Sequence, residues 1–201
     1  MNMSSEFLWS IGASFGPSIA MDGEIWRLFS AMFLHGGAEH VFMNMLSLFL
    51  VGRSVEMIFS RVSYLSIYFI SGIIGSLVSI YFHPITVGIG ASGAIFGIFG
   101  AVVGFALVHR HRMHSEFKSF INSVGIVLLL NIGIGLAFPN VDMSAHIGGM
   151  ITGLIGGAVV AKYPKKLWLF ISLALLVMVL IYGYLVNYVP TQLPSFNGAM
   201  Y

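Results

Sequence analysis

Six long apolar stretches constrain this chain more than any other feature of its sequence. They cover residues 38–58, 62–82, 90–108, 120–138, 144–161 and 167–188. As a helix, each can cross the roughly 30 Å hydrocarbon core of a bilayer. Over the whole chain 58% of the residues are hydrophobic and 8% are charged, whereas a soluble domain carries about 25% charged residues. The sequence therefore predicts an all-α membrane protein with about six transmembrane helices, because apolar runs of this length do not form barrel strands.

Residues 1–37 do not continue this pattern. Their apolar part, residues 7–21, is interrupted by glycines and Pro17 and is too short to span the bilayer. We expect an interfacial or partly embedded outer segment here, followed by five core spans over residues 38–161 and an extra C-terminal span over residues 167–188. No linker or repeat divides the chain, so the sequence predicts a single membrane domain.

Basic residues predict the orientation of the spans. They lie in or beside alternate loops, at Arg53, Arg61, Arg110, Arg112, Lys118, Lys162, Lys165 and Lys166. The intervening loops, residues 83–89 and 139–143, contain no Lys or Arg, and Arg27 is the one exception to the pattern. By the positive-inside rule the basic loops are cytoplasmic, so spans one, three and five run inward from the outer face.

Polar residues recur at the outer ends of these three spans. His40 and Asn44 fall in the first turns of span one, Ser92 in the first turn of span three and His146 in the first turn of span five. At about 1.5 Å of rise per residue, all four lie within one or two turns of the outer boundary. Polar groups at that depth are costly without partners, so we expect them to meet in one layer.

Their chemistry suits hydrolysis. Ser92 and His146 can act as nucleophile and general base. The alternative for His146 is a hydrogen bond across helices with no catalytic role. His40 and Asn44 share one helix face and can stabilise an oxyanion, and hydrogen bonding between helices is the alternative that their spacing leaves open. Asp142 precedes His146 by four residues in a short outer loop. We expect it not to complete a catalytic triad.

Small residues surround the two candidate catalytic groups. Two glycine faces are present: Gly93, Gly97, Gly100 and Gly104 on span three, and Gly149, Gly153 and Gly157 beside His146 on span five. Gly90 and Gly93 also remove side chains on both sides of the Ser92 hydroxyl. Such faces let helices pack closely, which would hold Ser92 and His146 in register. Taken alone, the glycine-flanked serine is more typical of a plain helix-packing motif, and it is the polar residues on the other spans that favour a catalytic role.

Four motifs follow one another between roughly residues 20 and 160. They are Trp26-Arg27; His35 with His40 and Asn44; Gly90-Ala91-Ser92-Gly93; and Ala145-His146-Ile147-Gly148-Gly149 with Gly153. In this order they resemble the rhomboid intramembrane serine proteases. The resemblance implies a Ser92–His146 dyad, an oxyanion hole completed by the Ser92 backbone amide, a Trp26-Arg27 outer loop, and Phe96 packed on the histidine. It also implies single-span membrane proteins as substrates, cut near the outer end of their helix, and a bacterial cytoplasmic membrane as the location.

Members of that family usually have a membrane helix before the outer loop, whereas this sequence begins inside the loop region. We expect either an upstream start or a form without that helix.

We expect no cofactor or metal at the site, and the net charge of +2 does not suggest a nucleic-acid partner. The oligomeric state is left open. A cytoplasmic tract with His109, His111 and His114 is compatible with a metal site, but binding to anionic lipid is the favoured interpretation.

Two other functions are compatible with the composition. The first is a non-catalytic relative that binds membrane helices, in which loss of Ser92 or His146 would be expected. The second is a small transporter or channel, which would place polar residues along the whole depth of several spans. The inner halves of spans three and five are nearly all apolar or glycine. Both alternatives are therefore less favoured than the protease.

Overall fold

The computed structural model describes residues 3–111, 114–137 and 141–193, and within these ranges the chain is mainly α-helical. Three short helices come first: α1 (Ser5–Ser10), α2 (Gly16–Ala20) and α3 (Arg27–Ser30). Six long helices follow: α4 (Ala38–Glu56), α5 (Arg61–Phe82), α6 (Ser92–His109), α7 (Ser115–Ala137), α8 (Met143–Lys162) and α9 (Leu167–Tyr188). The six long helices correspond to the six predicted spans. The largest difference is at the start of α7, which begins at Ser115 instead of residue 120.

The long helices form an all-α polytopic membrane protein, as predicted. By length and composition, α5, α6, α8 and α9 can each cross a membrane. Helices α4 and α7 contain 19 and 23 residues and carry more polar side chains. Much of α9 is exposed and apolar, including Leu173, Leu175, Leu176, Val179 and Leu180. Such a surface is stable in lipid and not in water.

Helices α6 and α8 are packed backbone against backbone through the two glycine faces. A Cβ atom on Gly153 would overlap the Gly97 carbonyl group, and one on Gly149 would overlap the Gly93 carbonyl group. A Cβ on Gly157 would likewise overlap Ala101. The two helices therefore meet along most of their length, in the way that the small-residue pattern predicts.

Helix α5 packs against both of these helices, which the sequence did not reveal. A Cβ atom on Gly97 of α6 would overlap the Ser71 side chain. A Cβ on Gly75 would lie 2.7 Å from the Ala145 carbonyl oxygen of α8. Ser71, Gly75 and Ser79 are spaced by four residues, so they share one helix face. This face of small residues is the sequence feature that could have predicted the packing of α5. Helices α5, α6 and α8 together form the centre of the bundle.

The outer segment is more ordered than the loop that the sequence suggested. It contains three short helices, and Ile19 and Leu28 are buried against Leu77 of α5 and Leu185 of α9. These contacts lie at the predicted outer ends of α5 and α9. A second apolar cluster, around Phe99, extends through the bundle from Ala91, beside Ser92, to Phe59. The outer segment is thus packed onto the bundle as a part of its core.

Arg27, the exception to the charge pattern, is buried at the centre of this segment with 5% of its surface exposed. Its guanidinium donates hydrogen bonds to the carbonyl oxygens of Trp9 at 2.6 Å and Ala13 at 3.2 Å, and also pairs with the Glu24 carboxylate. It lies 5.4 Å from the Trp9 ring and 4.8 Å from the Trp26 ring. Arg27 therefore holds the outer segment together, which explains why it departs from the orientation pattern.

Candidate active site

Ser92 and His146 are in direct contact. Ser92 is the first residue of α6 and His146 lies in the first turn of α8, 54 positions further along the chain. The Ser92 Oγ is 2.8 Å from the His146 Nε2, a hydrogen-bond distance. His146 is buried, with 6% of its surface exposed. The close packing of α6 on α8 brings the two side chains together.

The His146 ring is held by stacking. The Phe96 ring lies one turn below Ser92 and is nearly parallel to the imidazole, with 4.1 Å between ring centroids and 9° between planes. Within the described residues, the other ring nitrogen, Nδ1, has no hydrogen-bond partner. Asp142 does not bond to it. An aromatic face, and not a carboxylate, therefore orients the imidazole.

Asp142 has a different role, as the N-cap of α8. Its carboxylate accepts hydrogen bonds from the backbone N–H groups of Ser144 at 3.0 Å and Ala145 at 3.2 Å, and from the Ser79 hydroxyl of α5. Burial raises the pKa of Asp142, but the hydrogen bonds from Ser144, Ser79 and Ala145, with His83 nearby, outweigh burial and hold the pKa below its usual range. The cap thus ties the helix that carries His146 to α5.

His40 and Asn44 lie on α4 and face the backbone just before Ser92. Gly90 has φ of +107°, and a Cβ atom there would be 2.9 Å from the His40 Nε2 and 3.9 Å from the Asn44 Nδ2. The Gly36 N–H donates to the His40 Nδ1 at 3.4 Å, which leaves the proton on Nε2. Asn44 donates one Nδ2 proton to the His40 carbonyl oxygen at 3.0 Å. Two N–H donors therefore converge beside Gly90.

His35 packs beside this pair. Its ring lies edge-on to the His40 ring, with 5.1 Å between centroids and 75° between planes. Burial lowers the pKa of His35, so the imidazole is neutral at pH 7. A neutral ring can fill this space without placing a positive charge beside His40.

The outer segment positions the loop that precedes Ser92, a contribution that the sequence did not reveal. Ser14 and Gly88 exchange backbone hydrogen bonds at 2.9 and 2.8 Å, and the Gly90 N–H donates to the Ala31 carbonyl oxygen at 2.9 Å. A Cβ atom on Gly16 would overlap the Pro84 carbonyl group. Hydrogen bonds and close packing therefore hold the loop that leads into α6 against the outer segment. Trp26 and Arg27 belong to the same outer segment.

A comparison with known protein families identifies the family of the chain. The chain matches the family model described as the rhomboid domain over residues 22–163, which cover most of its length. It belongs to the rhomboid family. Members of that family are integral membrane proteins, and the matched range includes every motif that carried the resemblance in the sequence.

Several curated relatives support the assignment. The chain is 39% identical to Rhomboid protease GluP of Bacillus subtilis over 158 residues. These residues make up 77% of this chain and 29% of that protein. It is 35% identical over 162 residues to RHOMBOID-like protein 1 of Arabidopsis thaliana, covering 81% of this chain and 41% of that one. Rhomboid-like protease 5 of Toxoplasma gondii is 34% identical over 149 residues, which cover 74% and 18% of the two chains. The chain thus spans less than half the length of each of these relatives.

Proposed function

We propose that this protein is an intramembrane serine endopeptidase with Ser92 as nucleophile and His146 as general base. The observation that carries the proposal is the 2.8 Å contact between the Ser92 Oγ and the His146 Nε2. A serine hydroxyl becomes a useful nucleophile only when an adjacent base accepts its proton, and a hydrogen bond of this length allows that transfer. Two of the relatives, Rhomboid protease GluP and Rhomboid-like protease 5, are named as proteases, which supports the same reaction class.

In the proposed reaction, the Ser92 hydroxyl donates its proton to the His146 Nε2 while the Oγ attacks the scissile carbonyl carbon. The resulting imidazolium returns the proton to the leaving amine, and the C–N bond breaks to give an acyl-enzyme. Water, deprotonated by the same imidazole, then hydrolyses the ester and restores the Ser92 hydroxyl. Phe96 keeps the ring oriented throughout, since its face covers the imidazole at 4.1 Å.

Three N–H groups are suited to stabilise the oxyanion. The His40 Nε2 and the second Nδ2 proton of Asn44 lie beside Gly90. The Ser92 backbone N–H is at the start of α6, where an amide has no partner within its own helix. Donors aimed at developing charge lower the barrier more than they strengthen substrate binding. We therefore assign His40, Asn44 and the Ser92 amide to the oxyanion hole.

We further propose single-span membrane proteins as substrates, cut near the outer end of their transmembrane helix. Ser92 and His146 both lie in the first turns of helices that, by the basic-loop pattern, start at the outer face. Helical peptide carbonyls are occupied by hydrogen bonds, so substrates with helix-weakening residues near that depth are favoured. By the same pattern, and by likeness to a Bacillus protein, we assign the chain to a bacterial cytoplasmic membrane.

The decisive experiment is covalent labelling of the purified protein with a fluorophosphonate probe, which reacts with activated serines. We expect the wild type to be labelled at Ser92, as located by mass spectrometry of the adduct. Ser92→Ala and His146→Ala should each abolish labelling, because one removes the nucleophile and the other the base that activates it.

Two matched controls test whether the loss is local. Ser123→Ala replaces an exposed serine on α7 whose hydroxyl bonds to its own helix, and His114→Ala replaces an exposed histidine just before α7. Both variants should be labelled at the wild-type rate. A folded wild type that is not labelled would contradict the proposal and favour a non-catalytic helix-binding relative, and labelling that persists in Ser92→Ala would exclude the dyad.

A further inference from the structure

The contact between α6 and α8 continues to their inner ends. A Cβ atom on Gly104 would overlap the Leu154 carbonyl group, so the two backbones are still in contact close to where α6 ends. Both helices run inward from the site, and the same glycine packing therefore places the last turn of α6 beside the last turn of α8. The proposed function uses only the outer end of this interface.

A cavity of about 580 Å³ opens between these inner ends. It is lined by Val108, His109 and His111 from the end of α6 and by Ala161 and Lys162 from the end of α8. Among these lining residues, none is acidic. The Lys162 ammonium and the His111 imidazole can each donate an N–H hydrogen bond, the His109 Nδ1–H donates to the Phe105 carbonyl oxygen at 3.2 Å, and the other two side chains are apolar. A site of this composition suits an anionic group attached to an apolar body.

Aromatic contacts hold the basic side chains in place. The Lys162 and Lys166 ammonium groups lie 5.3 and 4.9 Å from the centre of the Tyr163 ring. On the other side, the His109 ring stacks on Phe105 with 4.3 Å between centroids. Side chains that are already oriented lose less conformational freedom when a ligand binds. These basic side chains therefore lose less conformational freedom on binding a ligand than freely moving surface lysines would.

We propose that this cavity binds the phosphate group of an anionic phospholipid from the cytoplasmic leaflet. The basic loops place it at the inner membrane surface, where anionic headgroups attract Lys and Arg side chains. Exposed apolar residues lie on the same inner ends of the helices, among them Leu107 in the last turn of α6 and Trp168 in the first turn of α9. They give the acyl chains an apolar surface next to the charged headgroup, which a free phosphate ion would not use.

Native mass spectrometry in detergent tests this proposal by titrating the protein with phosphatidylglycerol. We expect a first lipid to bind more tightly than the following ones, and phosphatidylcholine to bind only weakly. Lys162→Gln should raise the Kd of that first lipid by about tenfold, because a charge-assisted hydrogen bond to phosphate is lost. Lys162→Arg, which keeps the charge and the donors, should bind nearly as the wild type does.

Arg61→Gln is the matched control, since it removes one exposed positive charge from the same predicted membrane face without touching the cavity. At 0.15 M salt its effect on the Kd should stay within about twofold. Equal losses in Arg61→Gln and Lys162→Gln would overturn the site in favour of diffuse surface attraction. Inorganic phosphate binding as tightly as the lipid would overturn the lipid assignment.

A third result would also contradict the proposal. Lysines near a helix C-terminus stabilise the helix by balancing its dipole, without any ligand. If Lys162→Gln lowers the thermal stability of the lipid-free protein but leaves the Kd for phosphatidylglycerol unchanged, Lys162 acts only in this way. The two measurements on one variant therefore separate a lipid site from a helix-terminal charge effect.

Discussion

Gly90 shows how one residue controls the geometry of the site. Its φ of +107° belongs to a region that L-residues rarely adopt, and its missing side chain leaves the space that His40 occupies. Its N–H is also held by Ala31. The backbone angle, the space for His40 and the hydrogen bond to Ala31 thus all depend on Gly90. This residue lies two positions before the nucleophile and has no side chain that could take part in the reaction.

Gly90→Ala is expected to slow fluorophosphonate labelling of Ser92 strongly. The new Cβ atom would lie 2.9 Å from the His40 Nε2, and the backbone strain adds about 1–2 kcal/mol. The measurement is the second-order labelling rate constant, with Gly125→Ala as control because no atom lies within 4 Å of a Cβ at that position. A wild-type rate in Gly90→Ala would show that the loop adapts and that its backbone shape is not required.

Asn44 has two possible roles, a structural hydrogen bond to His40 and a donor to the oxyanion. If it is an oxyanion donor, Asn44→Ala should lower the labelling rate by about 10²–10³. Ser47→Ala is the control, since it removes the hydrogen bond to Asn131 one turn deeper on α4. Should Asn44→Ala and Ser47→Ala react at similar rates, the structural role alone would explain Asn44.

At the scale of the element, the start of α8 determines where His146 lies. The helix begins at Met143, and Asp142 satisfies its first N–H groups while bonding to Ser79 of α5. Asp142 was not expected to act on His146 directly, and in the structure it makes no hydrogen bond to the imidazole. Its contribution is to the position of the whole first turn of α8.

Asp142→Ala is expected to lower the free energy of unfolding by about 1–2 kcal/mol, the usual effect of removing an N-cap. Asp142→Asn should retain most of the labelling activity, because Asn is also a good N-cap. The measurements are thermal unfolding in detergent and the Ser92 labelling rate. If Asp142→Asn is as inactive as His146→Ala, the carboxylate takes part in the chemistry and the dyad is incomplete.

The same residue predicts a pH dependence. Because the pKa of Asp142 is lowered in the folded protein, its carboxylate stabilises the fold fully above the unfolded-state pKa of about 4. This contribution is lost as the pH falls through the lower folded-state pKa. The acid loss of thermal stability below about pH 4 should be smaller in Asp142→Asn than in the wild type.

For the whole molecule, the α6–α8 interface is the structural centre. Gly153→Val should separate the two helices, since even a Cβ atom would overlap the Gly97 carbonyl group. We expect loss of Ser92 labelling together with a lower unfolding temperature. Gly183→Val on α9 is the control, because nothing lies within 4 Å of a Cβ there. Normal labelling in Gly153→Val would show that the close approach is not needed to join Ser92 and His146.

Much of this architecture could be predicted from the sequence because a membrane imposes its requirements on each span separately. Apolar length predicts where a helix crosses, as for α9, whose bounds agree with the prediction at both ends. Basic loops predict the direction of each helix, and the position of a residue along its helix then predicts its depth in the membrane. Ser92 and His146 could therefore be placed in the same layer of the membrane. The glycine faces of α6 and α8 indicated close packing for the same reason, since small residues at helical spacing are a local signal.

The tertiary structure alone decided which distant segments complete the site. Pairing of Ser14 with Gly88, of Ala31 with Gly90 and of Asp142 with Ser79 joins segments far apart in the chain. Such contacts depend on the shapes of both partners, and neither partner carries a local pattern that identifies the other. The burial of Arg27 between two tryptophans and the basic cavity at the inner helix ends arise in the same way. Hydropathy determines the spans one at a time, whereas packing between them determines the site.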